Sequence, residues 1–99
     1  MIEFSELEKI CRERGWTVGL AESCTGGLLS SWIGARPGIS SLYAGAVVSY
    51  ARKVKETILG VPPVLMAAHG EVSIPVARAM AAGGRKALGS TWCVSIAVV

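Results

Sequence analysis

Helical patterns alternate along this chain with three short apolar runs that favour β-strands. The predicted strands cover residues 16–21, 42–50 and 92–99. The predicted helices cover residues 2–14, 25–33, 51–59 and 64–68, and a last one runs from an N-cap at Ser73 to about Leu88. Because helices that alternate with strands usually cover both faces of a sheet, the pattern predicts an α/β fold, a three-layer α/β/α sandwich.

Length and composition fit a single domain over residues 1–99. A hydrophobic content of 52% in 99 residues is enough for a core. The net charge of +3 comes from scattered basic residues and suits a small anionic ligand at least as well as nucleic acid. Since no stretch interleaves aromatic with basic side chains, we expect no nucleic-acid partner, and the three tryptophans are interpreted as core residues.

The cysteines and the N-terminus bear on location and metal binding. Three cysteines without CxxC or Cys/His spacing predict neither a disulfide framework nor a metal site, and they favour a reducing cytoplasm. The acidic N-terminus lacks the features of a signal peptide, and no apolar run reaches the roughly 18 residues of a membrane span. We therefore expect a soluble cytoplasmic protein.

The segment from Ala21 to Gly27, with sequence AESCTGG, is the strongest candidate site. It joins a predicted strand to a predicted helix, where backbone N–H groups can stabilise an anion. Ser23 and Cys24 are both candidate nucleophiles there. Thr25, Gly26 and Gly27 could cradle a phosphate, although the pattern matches no standard phosphate-binding motif.

Ser23 needs a base if it is to act as a nucleophile. Lys55 could serve if it is partly desolvated near other cations, and Tyr50 could relay a proton or orient the lysine. The structural alternative makes Ser23 a helix cap, Tyr50 a strand residue and Lys55 a solvated lysine. Glu22 could hold a ligand hydroxyl or pair with a cation, whereas Cys24 is interpreted as a packing residue.

Several segments taken in order resemble one family, the CinA C-terminal domain, also known as the nicotinamide-nucleotide amidohydrolases. They are AESCTGG at 21–27, GAVVSY at 45–50 with Lys55 and LGV at 59–61, and HGEVS at 69–73 with the Ala- and Met-containing helix that follows. The resemblance extends over nearly the whole chain, and the series of motifs is specific although each one alone is modest.

For active members, this resemblance implies hydrolysis of the carboxamide of nicotinamide mononucleotide, without metal or organic cofactor. Ser23 would be the nucleophile, Lys55 the general base and Tyr50 a proton-relay or orienting residue. Glu22 would belong to the substrate-binding residues, with Thr25, Gly26 and Gly27 lining the nucleotide site.

The family usually continues past its last matching strand, so the chain is expected to be an incomplete domain at its C-terminus. This leaves an alternative function open, a catalytically inactive nucleotide-binding or protein-interaction module. A hydrophobic strand at the edge of the sheet also makes a homo-oligomer plausible.

Overall fold

A computed structural model describes the backbone of residues 2–97 and the side chains of residues 4–97. Three strands span Val18–Glu22 (β1), Tyr43–Val48 (β2) and Trp92–Ile96 (β3). The helices span Ile2–Arg14 (α1), Leu28–Gly34 (α2), Arg52–Thr57 (α3), Pro63–His69 (α4) and Ile74–Leu88 (α5), with a 3-10 turn at Ile39–Ser41. The predicted alternation of helices and strands is therefore confirmed, although the last two residues of the predicted third strand, Val98 and Val99, lie outside the described residues.

The sheet is parallel, with strand order β2-β1-β3. Its register shifts between β1 and β2, since Val18 pairs with Tyr43 but Gly19 pairs with Gly45. Gly45 has φ of 132°, a backbone conformation that favours glycine. Because all three strands run in the same direction, their carboxyl ends meet at one edge of the sheet, where the candidate residues lie.

Helices cover both faces of the sheet, as the α/β/α prediction requires. On one face Val18 and Leu20 pack with Phe4 of α1 and Ile33 of α2. On the other face the buried cluster joins the sheet to α4, α5 and the segment before α4, with members Ala21, Leu59, Val61, Met66, Val76 and Met80. The two buried clusters hold β1 in the centre of the molecule.

Two glycines let α5 approach its neighbours closely. A Cβ at Gly83 would overlap the backbone carbonyl of Leu59, and one at Gly84 would lie 2.6 Å from Cys93 Sγ. Neither position has room for a side chain unless the neighbouring atoms move. These glycines therefore set the separation of α5 from Leu59 and from β3.

Charged side chains fasten α1 to the segment that joins α2 to β2. Glu8 accepts hydrogen bonds from Arg12 Nη2 and Arg36 Nε, both at 2.9 Å. Arg12 also donates to the Gly38 carbonyl at 2.9 Å and to Ser41 Oγ at 2.6 Å. The hydrogen bonds from Arg12 and then Arg36 lower the pKa of Glu8.

The interpretation of the three tryptophans as core residues is wrong for two of them. Trp16 is half-buried against the first cluster, but Trp32 and Trp92 are 53% and 51% exposed. Trp92 contacts Trp16 edge-on, with ring centroids 5.5 Å apart. Cys93 packs against α5 on one face of the sheet. Successive side chains of a strand point to opposite faces, so Trp92 and Val94 lie on the other face. Their exposure shows that α1 and α2 leave this part of β3 uncovered.

Candidate functional site

The carboxyl ends of β1 and β2 are tied together by Glu22 and Ser49. The fully buried Ser49 donates two hydrogen bonds to the Glu22 carbonyl oxygen, from its backbone N–H at 2.7 Å and from its hydroxyl at 3.1 Å. Ser23 follows Glu22 directly, and Tyr50 follows Ser49. This link therefore places Ser23 beside the segment that leads through Tyr50 to Lys55.

Ser23 occupies the turn that follows β1 and is 8% exposed. Its hydroxyl makes no hydrogen bond to any other residue that the structure describes. Among the described residues, every fully buried polar side-chain atom does have a partner, so the Ser23 hydroxyl must reach the molecular surface. A hydroxyl at the surface is available to a ligand.

Lys55 is buried, with only 3% of its surface exposed, although it belongs to the short helix α3. Its Nζ atom donates to the backbone carbonyl of Tyr50 at 3.2 Å and lies 3.5 Å from Glu71 Oε1. An ammonium group has three N–H donors, so these two partners leave one direction without an acceptor in the described structure. The alternative of a solvated lysine is therefore wrong.

The structure brings Ser23 and Lys55 to the same edge of the sheet, without a hydrogen bond between their side chains. Tyr50 contacts Lys55 through its backbone carbonyl, while the tyrosine residue is 72% exposed. Of the two roles predicted for Tyr50, orientation of Lys55 has a geometric basis in this carbonyl. The phenol makes no hydrogen bond within the described residues.

Glu22 is completely buried and points into the protein, toward the start of α2. Its Oε1 atom accepts hydrogen bonds from Thr25 Oγ1 at 2.7 Å and from the Leu29 N–H at 2.9 Å, and its Oε2 atom accepts one from the Ser30 N–H at 2.9 Å. A carboxylate is well suited to the N–H groups at a helix start. Glu22 thus stabilises the fold of the loop that carries Ser23.

The loop from Ser23 to α2 depends on its two glycines. Gly26 and Gly27 have φ of 64° and 104°, in the left-handed region. Consequently α2 begins at Leu28, three residues later than predicted. Within the described structure, the backbone N–H groups of Cys24, Thr25 and Gly27 have no protein acceptor, and they are the available donors in this loop.

Cys24 does not pack in the core. Cys24 is exposed, so the interpretation of this cysteine as a packing residue is wrong. The turn after β1 buries Ser23 and turns the next side chain outward, an orientation that a hydrophobic pattern does not reveal. Cys24 is therefore accessible to thiol reagents beside the candidate site.

An open, mainly apolar pocket with a volume of about 510 Å³ lies along α2, next to this loop. Its lining includes Leu28 and Trp32, both of which are more than half exposed. These residues are one helical turn apart and would be expected to face a core. Their exposure gives the candidate site an apolar neighbour that the sequence analysis missed.

Neither Glu71 nor Ser49 was predicted individually as a candidate site residue. Glu71 lies between α4 and α5, in the HGEVS segment, and approaches Lys55 from a part of the chain 16 positions away. The segment itself was a signal, because it belongs to the motifs that carry the family resemblance. Nothing local in the sequence pairs Glu71 with Lys55.

Residues 2–97 contain no helix long and apolar enough to cross a membrane. Among the side chains of residues 4–97, no cluster of three or more His, Cys, Asp or Glu residues has the arrangement of a metal site.

The described residues thus form a parallel α/β domain with a serine and a buried lysine beyond the carboxyl ends of its strands. Residues 4–98 match the family model of the CinA C-terminal domain, and the chain belongs to this family. Two relatives are a CinA-like protein of Anaeromyxobacter sp. (strain Fw109-5), 54% identical over 83 residues, and a putative competence-damage inducible protein of Symbiobacterium thermophilum, 47% identical over 88 residues. These alignments cover 84% and 89% of this chain but only 20% and 21% of the relatives, so the chain spans about a fifth of their length.

Solved structures of the same superfamily have the same fold. The competence damage-inducible protein A of Klebsiella pneumoniae superposes with a TM-score of 0.87 at 28% identity, covering 92% of this chain and 56% of that one. The competence-damaged protein (CinA) superfamily protein of Escherichia coli gives 0.88 at 27% identity, covering 92% and 53%. The family resemblance and the α/β fold expected from the sequence are thereby confirmed.

Proposed function

We propose that this domain is a cytoplasmic amidase that hydrolyses the carboxamide of nicotinamide mononucleotide to nicotinate mononucleotide and ammonia. The observation that carries the proposal is the burial of the Lys55 ammonium against the carbonyl of Tyr50, since the preceding residue, Ser49, is hydrogen-bonded to the carbonyl of Glu22, directly before Ser23. Burying a charged lysine costs free energy, and such a lysine near a serine is a common arrangement for nucleophilic catalysis. Membership of the CinA family supports the same conclusion.

In the proposed reaction, Ser23 Oγ attacks the carboxamide carbon while neutral Lys55 Nζ takes the hydroxyl proton. The tetrahedral intermediate collapses as the Lys55 ammonium returns a proton to the amide nitrogen, which leaves as ammonia. Water then attacks the resulting ester on Ser23, again with Lys55 as base, and releases the carboxylic acid with the serine restored. The sum is amide plus water giving acid plus ammonia, and no redox step is involved.

The loop after Ser23 supplies the other requirements of this chemistry. We assign oxyanion stabilisation to the N–H groups of this loop, among which those of Cys24 and Thr25 have no protein acceptor in the described part of the chain. Thr25, Gly26 and Gly27 would line the nucleotide, and the apolar surface of α2 would accept its ring. Glu22 would contribute to substrate binding by holding this loop in place.

Ammonia release from nicotinamide mononucleotide tests the function, using purified protein. Ser23→Ala should lower kcat by at least about 1,000-fold, because the nucleophile is lost. Lys55→Met, which keeps the length of the buried stem, should lower kcat by about 100-fold or more.

Two matched substitutions control for general effects of mutation. Ser40→Ala removes an exposed serine hydroxyl outside the site, and Lys53→Met removes an exposed lysine of the same helix α3. Both should retain turnover close to that of the unmodified protein. Undiminished turnover in Ser23→Ala or in Lys55→Met would refute the assigned roles.

A second candidate function is a catalytically inactive nucleotide-binding or interaction module. The exposure of Trp92 and Val94 on β3, a strand at the edge of the sheet, favours it. Under this second hypothesis, we expect protein that releases no ammonia but that self-associates, or that binds nucleotide in a calorimetric titration. Light scattering of Trp92→Ser against the unmodified protein would show whether this surface carries a homo-oligomer.

A further inference from the structure

Glu71 is the one carboxylate that the described structure places against Lys55. Its Oε1 atom lies 3.5 Å from Lys55 Nζ, and 42% of its side chain is exposed, compared with 4% for Lys55. The buried ammonium thus has one ionic partner among the described residues, and that partner is itself partly exposed to solvent. A positive charge in such a position depends strongly on its partner.

The segment that carries Glu71 is held in a defined conformation on both sides. Gly70 has φ of 83° and ψ of 158°, a combination that is essentially restricted to glycine. Ser73 caps α5, accepting a hydrogen bond from the Val76 N–H, and its hydroxyl donates to the Gly70 carbonyl at 2.9 Å. These local constraints define the backbone conformation on both sides of Glu71.

From this geometry we propose that Glu71 is the positioning residue of Lys55, the third member of a Ser23–Lys55–Glu71 arrangement. The inference rests on the function proposed above. While Lys55 holds the proton taken from Ser23, the Glu71 carboxylate stabilises the resulting ammonium and keeps Nζ in place. Glu71 itself neither gains nor loses a proton, so the balance of the reaction is unchanged.

Under this proposal, three residues of the HGEVS segment have a structural or positioning role. Gly70 provides the turn, Glu71 holds the lysine, and Ser73 starts α5. Tyr50 contributes the second support through its carbonyl. Lys55 is consequently fixed from two sides, by a neutral acceptor on its own segment and by a charged one from a distant segment.

The first test needs no turnover. The four lysines of the chain are acetylated with a trace of acetic anhydride, and the rate at each site is read by mass spectrometry, with Lys53 as the internal reference. In Glu71→Gln, which keeps the shape and removes the charge, Lys55 should react about threefold faster relative to Lys53. Glu56→Gln is the matched control, because Glu56 pairs with Arg52 on α3, and it should leave the ratio unchanged.

The second test is kinetic. Glu71→Gln should lower kcat by about tenfold or more with little change in KM, because the charge acts on the proton-transfer step and not on substrate binding. Glu71→Asp, which restores the charge, should recover part of kcat, a recovery that a purely structural role would not produce. Circular dichroism checks that all variants are folded.

The two tests separate this inference from the proposed function. An unchanged Lys55 labelling ratio in Glu71→Gln would overturn the positioning role, whatever the activity. If the unmodified protein releases no ammonia, the amidase proposal fails, while the labelling ratio still decides whether Glu71 controls Lys55. A kcat lowered equally by the Gln and Asp variants would also contradict the role of the charge.

Discussion

The fully buried carboxylate of Glu22 accepts a hydrogen bond from the backbone N–H of Ser30 across 2.9 Å. The N–H group at the start of a helix is often a site for an external anion. Here the protein supplies its own anion. The N–H groups that remain without a protein acceptor in this described region therefore belong to the loop before α2, not to the Glu22-bound N–H groups of the first helical turn.

Glu22→Ala should destabilise the domain by about 3 kcal/mol or more, since it removes a fully buried carboxylate and leaves the Leu29 and Ser30 N–H groups without this acceptor. Glu22→Gln keeps one carbonyl oxygen and should cost less. The urea midpoint of unfolding measures both. Midpoints equal to that of the unmodified protein would show that the interaction contributes little.

Gly83→Ala should destabilise the domain by about 1–3 kcal/mol, because its methyl group would overlap the Leu59 carbonyl and push α5 away. Gly34 in α2 is the matched control, since a methyl group added there would meet no atom within 4 Å and the backbone is helical. Gly34→Ala should be neutral or stabilise by up to about 1 kcal/mol. Thermal unfolding should therefore show a lower midpoint for Gly83→Ala alone; equal losses in the two variants would contradict the packing account.

One thiol should react quickly with Ellman's reagent in the folded protein. Burial raises the pKa of the Cys11 and Cys93 thiols and lowers their thiolate fraction, whereas Cys24 is exposed. Cys24→Ser should remove the fast phase, and urea should release the other two thiols. The same variant should retain ammonia release, because Ser23 and not Cys24 is the proposed nucleophile.

The interaction of Glu8 with Arg12 and Arg36 should make stability depend on acid pH. The pKa of Glu8 is lower in the folded state than in the unfolded chain, so its contribution is present above the unfolded value of about 4.3 and is lost as pH falls through the folded value. Glu8→Gln should therefore be less stable than the unmodified protein at pH 7, with the difference shrinking as the pH is lowered. Urea unfolding at a series of pH values measures this, and a stability difference that does not shrink on acidification would contradict the account.

Features determined by local chemistry could be predicted from the sequence. Ser73 caps α5 as expected, accepting a hydrogen bond from the Val76 N–H. The start of α2 was predicted three residues early, because Gly26 and Gly27 favour a left-handed turn over helix. In these cases a residue and its immediate neighbours decide the backbone conformation.

Features determined by distant parts of the chain could not be predicted in the same way. Buried Lys55 meets Glu71, 16 positions away in the chain, and buried Glu22 meets the amide N–H groups of α2. Trp92 is exposed because neither α1 nor α2 covers it, which no periodicity within β3 reveals. The sequence motifs indicated the candidate residues, and the fold determined what each one contacts.

The most direct test of the central claim is a search for the covalent intermediate on Ser23. The protein is mixed with nicotinamide mononucleotide, quenched in acid within milliseconds to seconds, digested, and analysed by mass spectrometry. We predict an ester of the nicotinate nucleotide on the peptide that contains Ser23, absent in Ser23→Ala. Turnover of the substrate with no adduct on this peptide at any quench time, and with activity retained in Ser23→Ala, would contradict the account.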